Sequence, residues 1–342
     1  MEFGVFGILQ YENLPAVPPR GIRLQTLFRE TIAEAIQAEE YGFDHFTLGE
    51  HHQLSDGFWS SPLVVLPGLA ARTERIRLGT AVVVLPFYHP IRLAEDTATI
   101  DQISGGRLVL GLGMGYVEKD FETFGVPIKE RASRFIEGLE VMRKAWTEES
   151  FSYRGRHFSL DGVSVTPKPL QKPHPPLWIG GQTPRAAERA GVVGDGWVAA
   201  AAQPLHEMKE LAARYRESAR RANKKPYVVV LRDGWVTEKG DDPSLEEFWR
   251  EEAYRLRCAY RLGAYRDHAP VEESDFTRIA KERAVAGTCE QVISIIERLQ
   301  AELDPDLLLI HFRLPYAPEH RKALGAIRVF GERVIPRFRG KT

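Results

Sequence analysis

Short apolar runs recur along this chain, and each is followed by a segment with helical periodicity. Eight such runs can be read: Phe3 to Leu9, Asp44 to Gly49, Ile76 to Leu85, Arg107 to Leu112, Leu177 to Gly180, Gly196 to Ala200, Tyr227 to Trp235 and Asp306 to Phe312. Ile76 to Leu85 is nearly continuous in apolar residues, as a strand covered on both faces should be. Between the runs lie helical patterns over Leu24–Tyr41, Ser61–Thr73, Pro90–Ile103, Arg131–Thr147, Pro184–Ala190, Leu205–Ala222, Thr288–Glu302 and Pro318–Val334. Alternating βα units imply a parallel sheet, and eight of them predict a closed (β/α)8 barrel of the TIM type. An open doubly wound sheet is the rival. It places a glycine-rich fingerprint after its first strand, whereas Gly4 and Gly7 lie inside the run.

The chain has 342 residues, which one barrel with insertions can use as a single domain over 1–342. The insertions fall at about 116–130, 150–176 and 241–285. The first and last follow strands four and seven. The middle one reads as a hairpin over Ser150–Leu160 with its turn at Arg154-Gly155, then five prolines between Pro167 and Pro176 that enforce irregular chain. Those after strands four and seven emerge on one barrel face and are natural pocket walls.

A net charge of −1 argues against a nucleic-acid partner. No apolar run is long enough to span a bilayer, and MEFGVFGILQ lacks a basic leader, so a cytoplasmic protein is expected. The two cysteines, Cys258 and Cys289, suit a reducing compartment and have no metal-binding spacing.

In such a barrel, chemistry sits where strands end. Strand two ends in Glu50-His51-His52, a carboxylate and two imidazoles able to exchange protons near neutral pH. The bland reading is a hydrogen-bonded strand terminus. A shared metal is disfavoured, because adjacent strand residues point to opposite sides. His89, after strand three, could face the same pocket or merely bond the loop. Phe6, Trp59, Phe87 and Tyr116 stand at or after strand ends and could line an apolar substrate cavity, or only pack. Gly113-Met114-Gly115 after strand four could let backbone amides approach an anion or a flat ring. Gly180-Gly181-Gln182-Thr183 leads into Pro184. Thr183 suits a cap and the helix N-terminus is a ready phosphate site.

The stretches GFDHFTLGEHH, GTAVVVLPFYHPIRLAEDTATIDQISGGRLVLGLGMGYVEKDFETFG, PPLWIGGQTPRAAERAG and GDGWVAA, in this order and spacing, resemble the bacterial luciferase-like flavin monooxygenases. The resemblance runs from Phe3 to about Trp197 and resumes from Gly287. It implies a (β/α)8 barrel binding flavin mononucleotide (FMN), or in some branches a deazaflavin, at the carboxyl ends of the strands. The histidine matching His51 is then the catalytic base, with Glu50 and His52 lining the same cavity. Ala81-Val82 matches a non-proline cis peptide beneath the flavin ring, Gly113 to Gly115 lie by the flavin, and Gly180 to Thr183 approach its phosphate. Met114 departs from the pattern, standing where the luciferase α-subunit has an arginine, which implies weaker flavin binding. The expected activity is a monooxygenase using reduced FMN as co-substrate with O2 on a small apolar, aldehyde-like substrate. A separate flavin reductase and a homodimer come with the resemblance. A deazaflavin-dependent dehydrogenase and a non-catalytic flavin-binding protein are the alternatives. Residues 241–283 have no counterpart, so the substrate does not carry over.

Overall fold

The computed structural model describes residues 1–8, 24–53, 58–201, 203–261, 275–314 and 319–340. Eight parallel strands close into a barrel: β1 (Glu2–Gly7), β2 (His45–Leu48), β3 (Arg77–Val84), β4 (Leu108–Gly113), β7 (Leu177–Gly180), β8 (Gly196–Ala199), β9 (Val228–Thr237) and β11 (Leu307–His311). The ring runs β1-β2-β3-β4-β7-β8-β9-β11, and β11 returns to β1 through Glu2↔Leu307. The expected eight-stranded barrel is therefore present. The end of the first run at Leu9, the loop to Arg20, positions 54–57 of the loop after strand two, and Pro318 fall outside the described residues.

Outer helices α1 (Leu24–Glu40), α2 (Pro62–Ala70), α3 (Pro90–Ile103), α5 (Arg131–Thr147), α6 (Pro184–Val193), α7 (Leu205–Arg221) and α10 (Cys289–Leu303) cover the strands' outer faces. At the C-terminus α11 (His320–Val329) runs through a π-turn at Phe330–Val334 into α12 (Ile335–Phe338). Alternation of side chains along each strand divides the core in two. Phe3, Phe46, Leu78, Leu110, Trp197 and Ile310 pack outward against helices, while Phe6, Val109, Trp178, Val229 and Leu309 fill the interior.

Two features depart from the sequence reading. Residues 241–283 were expected to lead directly into the helix at Thr288. Instead α8 (Pro243–Arg261) and α9 (Phe276–Arg283) are followed by a short strand β10 (Val285–Thr288), paired to the far half of β9 from Val285↔Gly234 to Thr288↔Thr237. Four residues, one of them a glycine, give too brief a pattern to read as a strand. β9 supplies a template because its second half projects beyond the barrel. The hairpin is β5 (Phe151–Arg154) with β6 (Ser159–Val163); its second strand lies further along than expected, because the turn spans Gly155 to Phe158.

The amino-terminal end of the barrel is plugged by a cluster of polar and aromatic groups. His45 Nε2 lies 2.9 Å from Glu2 Oε2, the Tyr227 hydroxyl donates to the same oxygen, and Trp178 stacks on Tyr227 with centroids 5.9 Å apart. The His45 hydrogen bond leads in lowering the Glu2 carboxyl. Burial works against it, Tyr227 and the charges of His45 and Arg77 reinforce it, and the pKa falls from 4.5 to about 2. A carboxyl lowered on folding contributes stability above its unfolded pKa and loses it as pH falls through the folded one. Glu2→Gln should therefore melt below wild type at pH 6, and the gap should close between pH 4.5 and about 2. A gap that stays constant over that range in melting curves would show that the Glu2 charge is not stabilising.

Candidate active site at the carboxyl end of the barrel

β2 delivers its last residues into a tight junction. Glu50 pairs with Trp59 as an isolated parallel bridge, His51 N donates to Trp59 O (3.0 Å), and Trp59 N donates to Gly49 O (3.1 Å). The Trp59 indole is 2% exposed and donates to Gly7 O, so it fastens β1 to this segment rather than lining an open pocket. Gly49 is needed here: a Cβ would lie 2.6 Å from the Phe6 ring and 2.7 Å from that of Phe58.

The Glu50 carboxylate is buried and held by three partners. Oε2 accepts from Val84 N (3.0 Å), and Oε1 accepts from the Tyr88 hydroxyl (3.1 Å) and faces His52 Nε2 at 2.6 Å. Its own N–H donates to Val82 O at 3.1 Å. Burial, then the Glu50 charge and its hydrogen bond, push the Tyr88 phenol up, so Tyr88 stays a donor. With both oxygens engaged, Glu50 ties β2 to the end of β3 and orients His52.

The two histidines part company. His51 stacks on Phe58 (4.1 Å, 12°) and meets the edge of Tyr116 at 6.4 Å. His52 turns to Phe124 (4.6 Å) and Phe87 (5.9 Å). Phe87 stacks on Phe124 at 4.7 Å and meets Phe121 edge-on at 4.8 Å. Phe121 belongs to the short helix α4 (Glu118–Thr123) in the insertion after β4, and Phe124 follows it, so that insertion does wall this side of the mouth. Gln53, at φ 56°, holds the wall by donating to Thr123 Oγ1 (2.8 Å) and Asp120 Oδ1 (3.3 Å). His89 serves the local backbone. Exposed, it caps α3 by accepting from Ile91 N and rests against Phe158 of the hairpin.

The Ala81-Val82 peptide is cis, at the position the sequence resemblance indicated. Val82 spreads across two neighbouring strands whose glycines make room for it. A Cβ on Gly113 would lie 2.6 Å from Val82 Cγ2, and one on Gly180 would lie 3.2 Å from Cγ1. Bare backbone and one branched side chain therefore form the floor. Gly115 turns at φ 75°, while Met114 packs toward the outer core. Beyond Gly180, Thr183 caps α6 by accepting from Ala186 N (3.3 Å), and Pro184 starts the helix. The loop is fixed from behind: Trp197 Nε1 donates to Gly181 O (2.9 Å), Gln203 Nε2 to Gln182 O (3.4 Å), and buried Arg232 to Gln203 O (2.9 Å) and Ala201 O. Gln182 and Thr183 stay exposed at a helix N-terminus, where free amides and the helix dipole favour an anion.

A second polar cluster was not singled out in the sequence. Asp233 and His311 are register partners on β9 and β11, with His311 Nδ1 2.7 Å from Asp233 Oδ1. Arg255 of α8 pairs with Asp233 Oδ2 and with Glu252 (Nε to Oε2, 2.9 Å). Burial raises the Asp233 carboxyl, but Arg255 and His311 outweigh it and hold it low; Glu252 is raised, chiefly by burial, with the Asp233 charge adding. His311 is lowered, chiefly by burial, despite Asp233. The signal was available: an Arg-Asp pair and a His break the apolar runs of strands seven and eight. Phe6, 1% exposed, joins the two clusters, with its ring 4.2 Å from His311 and 5.6 Å from Phe58.

Among the described residues, no three metal-ligating side chains converge and no helix is long and apolar enough to cross a membrane. Two curated relatives and one solved structure carry the comparison with known proteins. The oxygenase component of the flavin-dependent trigonelline monooxygenase of Acinetobacter baylyi is 28% identical over 63% of this chain and 61% of its own length. An F420-dependent glucose-6-phosphate dehydrogenase of Amycolatopsis mediterranei is 25% identical over 91% of this chain and 95% of its own. The crystal structure of the monooxygenase RslO1 from Streptomyces bottropensis superposes with a TM-score of 0.87 at 27% identity, covering 99% of this chain and 100% of that one. Similar named proteins thus divide between monooxygenases, one of them named as flavin-dependent, and F420-dependent dehydrogenases, F420 being a deazaflavin coenzyme. The family model for luciferase-like monooxygenases matches residues 1–302, and with the barrel and its strand-end site the chain belongs to that family, as an oxidoreductase.

Proposed function

We propose that this protein is a flavin-dependent monooxygenase that takes reduced FMN and O2 at the carboxyl end of the barrel and oxidises a small apolar substrate. The observation that carries the reading is the pairing of a rigid floor with a separate imidazole. Val82, Gly113 and Gly180 offer a flat, side-chain-poor surface, while His51 stands on Phe58 beside Tyr116. The residues present fit the cofactor: the floor suits a planar ring, and the exposed start of α6 with Gly181, Gln182 and Thr183 suits its phosphate. Met114 brings no cation, in keeping with a flavin that is bound reversibly as a co-substrate and supplied by a separate reductase. Bound reduced FMN supplies the electrons for oxygen activation.

The chain's own residues then have distinct roles. His51 accepts or donates a proton at the reacting substrate oxygen. Glu50 holds the backbone of Val82 and Val84 and fixes His52. Phe58, Phe87, Phe121, Phe124 and Tyr116 exclude water, which the oxidising step requires. A second reading is a deazaflavin-dependent dehydrogenase on the same floor. It is favoured by the match over nearly all of the F420-dependent relative.

His51→Ala should still bind reduced FMN but lose product formation by roughly 100-fold or more, as expected for removal of an acid–base group. Oxygen uptake and product analysis with a panel of small alcohols, aldehydes and ketones measures this, and wild-type turnover in the variant would sink the assignment. We further propose a homodimer. Val64 on α2 is 77% exposed and is the most exposed large apolar side chain among the described residues. Light scattering should report twice the chain mass, with Val64→Glu shifting it toward the monomer; a monomeric wild-type protein would end that proposal.

A further inference from the structure

His311 Nε2 is buried and has no hydrogen-bond partner among the described residues, although the residue is 2% exposed. An orphaned polar atom at a barrel mouth asks for a ligand, since a buried polar group left unmet is unfavourable. Its chemical character follows from its neighbours. Arg255 can only donate, so it keeps Asp233 an ionised acceptor; Asp233 Oδ1 therefore takes the proton on His311 Nδ1. That leaves Nε2 a bare lone pair. Besides the Asp233–Arg255 pair, the His311 ring meets two aromatic rings, Phe6 with centroids 4.2 Å apart and Phe58 at 6.1 Å. Phe58 also stacks on His51, so one half-buried ring lies against both imidazoles.

We propose that His311, oriented by Asp233, is a specificity-determining acceptor that selects an apolar substrate bearing a hydroxyl donor, an alcohol, over one bearing only a carbonyl. The ligand displaces the Phe58 ring, gives its O–H to Nε2 and rests its hydrocarbon part on Phe6. This refines the substrate of the site proposed above and rests on the barrel mouth being that site. The acceptor comes from strand register: His311 and Asp233 lie side by side because β11 and β9 pair in parallel at that position.

The test is histidine nitrogen NMR on the full-length protein, with and without FMN, titrated with cyclohexanol and with cyclohexanone, which share a frame but differ in having a donor. His311→Gln assigns the resonance. The free protein should show the Nδ1–H tautomer, and cyclohexanol should shift Nε2 saturably while cyclohexanone does not. His311→Gln should weaken cyclohexanol about tenfold, the worth of one hydrogen bond in a buried site. In Asp233→Asn the new amide must turn its carbonyl to Arg255 and its N–H to His311. Nε2 then carries the proton, and the preference should reverse toward cyclohexanone. A thermal melt of each variant checks folding. Equal shifts with both probes, an Nε2–H tautomer in the wild type, or no saturable shift with either probe would overturn the proposal. FMN binding by absorbance on the same samples keeps the two readings apart. If FMN binds and His311 is silent, only this inference falls; if His311 discriminates and FMN does not bind, the cofactor reading falls instead.

Discussion

A carboxylate taken out of water must be fully partnered or it destabilises its surroundings by several kcal/mol. Glu50 meets that demand with donors from three places. Val84 N comes from β3, the Tyr88 hydroxyl from the turn that follows, and His52 from its own strand end. Because the Glu50 N–H also holds Val82 O, one residue fixes the relation between the end of β2 and the Ala81-Val82 peptide. The floor, the direction of His51 and the aromatic wall around His52 all depend on that junction. Removing the carboxylate alone would leave Val84 N, Tyr88 and His52 competing for no acceptor, so its effect would reach well beyond lost acid–base chemistry.

The mouth has two poles that differ in kind. On the β2–β4 side, His51 and His52 sit among aromatic rings that the β4 insertion supplies. On the β9–β11 side, His311 is backed by an anion, a guanidinium and a second carboxyl from α8. Phe58 and Phe6 lie between them. The two insertions thus contribute different chemistry, one apolar cover and the other charge, and both reach the site because every βα-loop emerges on the same barrel face. Substrate choice is expected to reside with the β9–β11 pole, whose helical excursion has no counterpart in the sequence resemblance.

Much of this was legible in the sequence because short apolar runs and helical periods are local signals. All eight barrel strands could be read, as could the cap formed by Thr183, whereas the Ala81-Val82 position came only through the family resemblance. What escaped were relations between strands. β10 forms only because β9 outruns the barrel, which four residues cannot announce. Gly113 and Gly180 looked like open backbone for an anion or a ring, yet their missing side chains also make room for Val82 across two strand boundaries. Asp233 and His311 are 78 positions apart and become neighbours only through register. Glu50, read only as lining the same cavity as the two histidines, is engaged with His52, Tyr88 and β3. His89 could not be resolved between pocket and loop by type alone, and its capping bond decides for the helix start.

The central claim is that the Val82 floor and the α6 N-terminus form a site for reduced FMN. Anaerobic titration of the purified protein with reduced FMN, beside a parallel titration with reduced F420, tests it most directly. Saturable binding of reduced FMN that weakens when Gly180 is changed to valine, with little binding of F420, is the predicted result. Tight binding of F420 and none of FMN would contradict it and make hydride exchange with the deazaflavin the function of this barrel.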